Sequence, residues 1–143
     1  MLSLLKEAVL TRVSDAVAAG TSDVNCTSVD MSGFDGVAFV VAFGTITATA
    51  VTSIKVQGSS DNSNWSDLES TAITVADDDD NQIFGAEVLR PTYRYVRCVI
   101  DRGTANAVID SVVAIQHSPR YAPVTQPATT TVEVNVAPAA GTA

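Results

Sequence analysis

Histidine, cysteine and aromatic side chains are scarce in this chain, and each scarcity removes a class of function. One histidine, His117, stands among 143 residues, so proton shuttling near neutral pH has a single imidazole to work with. It sits beside Ser118 and Pro119 at the end of a strand-like segment, where a structural or exposed role is expected. The chain contains no G-x-S-x-G elbow, H-E-x-x-H helix, glycine-rich phosphate loop or paired metal-ligand motif. No catalytic residue, cofactor or metal site is assigned, and the chain is not expected to be an enzyme. Cys26 and Cys98 lie far apart in sequence and outside any C-x-x-C spacing, which argues against zinc or a redox motif and for two buried free thiols.

Long apolar runs are also missing. Nothing approaches the roughly 20 residues of a membrane-spanning helix, and Lys6 and Glu7 interrupt the N-terminal run too early for a secretory signal. Synthesis in a cytoplasm and no membrane partner are therefore expected. Basic residues are few: eight Lys and Arg face sixteen Asp and Glu, a formal charge of −8 that repels phosphate backbones and anionic lipid. Arg90, Arg94, Arg97 and Arg102 cluster around Tyr93 and Tyr95 in the manner of a nucleic-acid surface. Strand geometry would put Arg94 and Arg97 on opposite faces, so no nucleic-acid partner is expected.

What the chain does have is 46% hydrophobic against 17% charged residues, the balance of a folded protein of one domain. Val, Ala and Ile alternate with Thr and Ser, which suits a pleated, half-buried surface. The reading is all-β, an antiparallel β-sandwich over residues 21–119 with an N-terminal arm or short helix at 1–20 and an extended C-terminal arm at 120–143. Strands are expected at 24–29, 37–43, 52–57, 72–75, 81–89, 93–100 and 108–115, the spacing of a sandwich or barrel. The 37–43 segment is apolar on both faces and reads as a central, doubly covered strand. Ile54 and Val56 should point inward with Lys55 and Gln57 outward, and Ile109, Val113 and Ile115 should share a core face. Trp65 is expected to cap the core, and Asp101 to Thr104 reads as a turn.

Two segments suggest contacts with other molecules. Asp77, Asp78, Asp79 and Asp80 lack the ligand spacing of a calcium loop, so a solvated hairpin tip is expected, with a weakly held cation or a basic partner as the lesser reading. Beyond Pro119 the prolines at 123, 127 and 138 forbid a persistent helix or central strand. Yet Val132, Val134 and Val136 alternate with polar residues, as a strand donated to a neighbour's sheet edge would. Candidate protein-interface residues are these three valines, Leu4 and Leu5 near the N-terminus, and Arg94 and Arg120 for acidic partner surfaces.

Three segments, Gly36-Val37-Ala38-Phe39-Val40-Val41-Ala42-Phe43-Gly44, Val56-Gln57-Gly58-Ser59-Ser60-Asp61 with Trp65, and Arg90-Pro91-Thr92-Tyr93-Arg94-Tyr95-Val96-Arg97, resemble small virion proteins encoded beside the major capsid protein of tailed bacteriophages. Arg102 to Asn106 and Pro119 to Val124 extend the match, which spans roughly residues 30–125. In size and segment order the chain is similar to phage capsid cement and decoration proteins, among them that of a Bordetella podovirus. The resemblance implies a jelly-roll-like sandwich on the exterior of an HK97-type capsid, made in the bacterial host cytoplasm and stabilising the shell by bridging capsomers. The implied partners are the major capsid protein and further copies of itself, as a homodimer or a trimer. The alternatives are a carbohydrate-binding sandwich that stacks sugars on Trp65, Tyr93 and Tyr95, and a head-completion or tail virion protein.

Overall fold

The computed structural model describes residues 3–142. After one helical turn, α1 (Leu4–Glu7), the regular elements are strands: β1 (Val9–Ser14), β2 (Val17–Gly20), β3 (Val24–Asn25), β4 (Val29–Asp30), β5 (Phe34–Ile46), β6 (Thr52–Ser59), β7 (Ser66–Asp67), β8 (Ile73–Val75), β9 (Ile83–Leu89), β10 (Tyr95–Arg102) and β11 (Ala107–Pro119). They form two antiparallel sheets. In the first, β1 and β2 share one edge of β11, followed by β5 and β9; in the second, β3 and β4 share one edge of β10, followed by β6, whose far side carries β7 and β8. With each edge pair counted as one interrupted strand, the sheet orders are 1-8-3-6 and 2-7-4-5. That is jelly-roll order, in which long crossovers carry successive strands from one sheet to the other.

The core between the sheets comes from the inward residues of the long strands. Val37, Phe39, Val41 and Phe43 of β5, beside Ile109, Val112 and Ala114 of β11, face Ile54 and Val56 of β6 and Val96, Cys98 and Ile100 of β10. Phe84 meets Phe43 edge-on, with ring centroids 5.6 Å apart. The expected inward pointing of Ile54 and Val56 holds. Cys26 and Cys98 are both free and buried, and hydrogen bonding from Cys26, reinforced by burial, pushes the Cys98 thiol up and keeps it protonated.

Five expectations need correction. Residues 9–20 are strands of the first sheet, not an arm or helix. Val9 and Val13 are buried there, because alternating β-branched side chains gain more on an open sheet edge than in a short helix. Val113 and Ile115 do not share the face of Ile109. Between the pairs Ile109↔Phe43 and Ser111↔Ala42, β11 carries one extra residue, Asp110, and that bulge reverses the parity so that Val112, Ala114 and Gln116 point inward. The 101–104 segment is not a turn from its start, since β10 runs through Arg102. Arg102 is buried there, its guanidinium donating to the carbonyls of Ser22, Ala18 and Ala107.

Trp65 lies outside the core, with the Arg97 guanidinium 4.3 Å over its ring centroid. Finally, the arm from residue 120 is tied down over its first part. Val124 N–H donates to the Lys6 carbonyl, the Gln126 amide accepts from Leu10 N–H and donates to the Leu5 and Ala8 carbonyls, and the Thr130 hydroxyl donates to the Leu10 carbonyl. These bonds occupy the free edge of β1, which would otherwise invite another strand.

Candidate interaction surfaces

The two outer faces of the sandwich differ in kind. On the second sheet, Lys55 and Gln57 of β6, Arg97 of β10 and Asp67 of β7 form a closed polar network. Gln57 Oε1 accepts from Arg97 Nε (2.9 Å) and Nη2 (2.7 Å), Gln57 Nε2 donates to Asp67 (2.7 Å), and Lys55 reaches the same carboxylate at 3.0 Å. Hydrogen bonds from Gln57 and then Lys55 hold the Asp67 carboxyl below its usual range. This face satisfies itself.

On the first sheet the outward positions are Leu10 of β1, Val113 and Ile115 of β11, Ala38, Val40 and Ala42 of β5, and Ile83 and Leu89 of β9. The register places them in rows: Leu10, Ile115, Ala38 and Glu87; Arg12, Val113, Val40 and Gly85; Ser111, Ala42 and Ile83. Ile83 and Leu89 are 70% and 65% exposed, and the others are half-buried. The result is a smooth apolar stripe across four strands, rimmed by Arg12 and Glu87. At its end the His117 ring lies over Gly36, where a Cβ would come within 2.2 Å of the ring, and His117 Nε2 reaches Glu87 at 2.8 Å.

A third surface sits at the end of the sandwich where β5 starts and β9 and β11 finish. An open cleft of about 610 Å³ is lined by Phe34, Tyr93 and three arginines, Arg90, Arg94 and Arg120. Each arginine is pinned through its backbone to the short segment 31–35: Met31 N–H donates to the Arg94 carbonyl, Arg120 N–H to the Gly33 carbonyl, and Arg90 N–H to the Asp35 carbonyl. Arg94 also pairs with Asp30, at 2.9 Å for the closest contact, and holds that carboxyl below its usual range. The guanidinium groups of Arg90 and Arg120 have no partner among the described residues.

Of the seven residues singled out by sequence, the fold brings Arg94 and Arg120 together. Leu4 is exposed and Leu5 half-buried on α1. Val132 is half-buried, Val134 and Val136 are 39% and 91% exposed, and their segment forms no strand within this chain. Arg90 and the apolar stripe were missed. The available signal was the doubly apolar 37–43 segment, of which the chain covers one face with its core while leaving the other only half-covered.

No family model and no curated sequence matches the chain. Its fold is that of known proteins. The PBSX exported protein XepA is similar in structure, with a TM-score of 0.55 at 17% identity over 94% of this chain, which spans 44% of the length of XepA. A Bacillus endospore appendage, from a family of disulfide-linked pili, aligns at a TM-score of 0.49 and 15% identity, over 78% of this chain and 88% of its own.

Proposed function

We propose that the chain is a structural virion protein that lies on the outside of an HK97-type phage capsid and stabilises it by bridging capsomers. The observation that carries this reading is the asymmetry of the sandwich, with one face closed by its own polar network and the other an apolar stripe open to a partner. Covering about 300 Å² of such a surface contributes on the order of 7 kcal/mol before association entropy is subtracted. In a repeating shell, modest single contacts become durable through multivalency. The resemblance of residues 30–125 to phage cement proteins supports the same reading, and the major capsid protein is the partner it implies. The carbohydrate-binding alternative has less behind it, because Arg97 stacks on the Trp65 ring and the Tyr93 ring packs closely against Gly58.

The test is co-sedimentation of the purified chain with expanded capsids. Binding at fixed stoichiometry with increased heat resistance of the shell is expected, as is loss of binding in the Ile83→Lys/Leu89→Lys variant, whose substitutions fall on exposed positions. Absence of binding to expanded shells, or unchanged binding by that variant, overturns the reading.

A further inference from the structure

The two ends of the sandwich differ in charge: carboxylates gather at one, while the other presents three arginines with Asp30 and Asp35 beside them. At one end, the segment before β3, the turn after β8, the last residues of β10 and the first part of β11 gather Asp23, Asp77, Asp78, Asp79, Asp80, Asp101 and Asp110. The basic residue among them, Arg102, is buried with its guanidinium engaged by backbone carbonyls. At the other end stand Arg90, Arg94 and Arg120, three of the eight basic residues in a chain of net charge −8. β5, thirteen residues long, runs from one end to the other, a separation of roughly 40 Å at about 3.3 Å per residue. One molecule therefore cannot bring its own two ends together.

We infer that the arginine cleft receives the acidic 77–80 loop of a second copy, so that molecules join head to tail. The cleft is built for such a partner. Its arginines come from two segments, the β9–β10 connection and the end of β11, both clipped to 31–35, and the guanidiniums of Arg90 and Arg120 are paired with no carboxylate among the described residues. Guanidinium and carboxylate groups form short, paired, charge-assisted hydrogen bonds.

The loop is equally well prepared. Asp80 accepts from Ile46 N–H, Asp77 from Thr49 N–H and Asp79 from Ala76 N–H, while Asp78 stands exposed at the tip. A loop already held in shape loses little conformational freedom on docking. The overall negative charge does not forbid the contact. With a Debye length of about 8 Å at physiological ionic strength, distant like charges are screened while the loop and cleft meet at a few ångströms. Such a contact is heterologous, using different patches on the two copies, and generates rings or open chains rather than a closed dimer. It does not depend on the capsid reading, and on a shell it would link neighbours laterally.

Sedimentation velocity of the full chain tests this, with circular dichroism to confirm that each variant is folded. Near 0.15 M ionic strength the parent should show a concentration-dependent series of sizes that collapses towards monomer near 1 M, where the Debye length falls to about 3 Å. Arg90→Gln/Arg120→Gln, which changes side chains that hold nothing else together, and Asp78→Arg should each weaken self-association roughly tenfold or more. The decisive arm mixes the two variants. One keeps its loop and the other its cleft, so the mixture should form a one-to-one dimer and nothing larger. A parent that stays monomeric at every concentration, variants that assemble like the parent, or a mixture that remains monomeric overturns the inference. A parent that binds inorganic phosphate or an acidic peptide in the cleft without self-associating also overturns it. Loss of capsid binding with self-association intact would instead count against the capsid reading alone.

Discussion

Arg102 shows how a charged side chain can serve a β-sandwich without a carboxylate partner. Its guanidinium fastens the β2–β3 connection to the start of β11 through three carbonyls, and Gly20 permits the approach, since a Cβ there would come within 3.2 Å of the guanidinium. Arg102→Met keeps the apolar stem but strands those acceptors. It should cost about 3 kcal/mol, seen as a lower urea midpoint with an unchanged slope. Gly58 answers a comparable need, since a Cβ there would come within 2.4 Å of the Tyr93 ring. From sequence, Arg102 reads as a turn residue beside Gly103, because nothing local announces that a distant connection will fold over it.

Among the elements, β1 lies at a sheet edge, and the 124–130 segment covers it mainly with side chains. Gln126 works as a substitute strand, accepting from Leu10 N–H and donating to the Leu5 and Ala8 carbonyls. Gln126→Ala should speed hydrogen exchange at the Leu10 amide by roughly five- to tenfold, the loss of about one hydrogen bond. Deleting residues 131–142 should change stability by no more than about 0.5 kcal/mol, measured by thermal melting, because that stretch forms no strand. The prolines correctly exclude a central strand after Pro119. They cannot reveal that a glutamine among them, Gln126, would dock some 116 residues away along the chain, at Leu10.

The molecule as a whole is polar along its length and across its thickness, and its response to acid reports on several sites together. Asp30, Asp61 and Asp67 all titrate below their ordinary range. Asp30 is lowered chiefly by Arg94, Asp67 by Gln57, and Asp61 by the Asn64 and Ser63 groups whose turn it closes. Each depressed carboxyl contributes stability that is present above its unfolded pKa, near 4, and lost as pH falls through its folded value. The melting temperature should therefore decline as pH drops below about 4, and Asp61→Asn should flatten part of that decline, as followed by circular dichroism. A melting temperature independent of pH between about 5 and 2 would contradict this linkage.

Alternation alone carried the all-β class, most strand positions and the inward set of β6, because a period of two is a local property of a pleated strand. The first twenty residues read as an arm or a short helix, and only pairing with β11 makes strands of 9–14 and 17–20. The bulge at Asp110 is equally silent in sequence, since one inserted residue reverses every side chain after it without changing composition. Charge totals likewise showed an acidic protein but not its polarity. Arg120 meets Arg90 and Arg94 because the jelly-roll winding returns the end of β11 and the β9–β10 connection to one end, and Val113, Ile115 and Val40 form one stripe because β11 and β5 pair in that register. Neighbours brought together by strand pairing across the chain exist only once the sheets have closed.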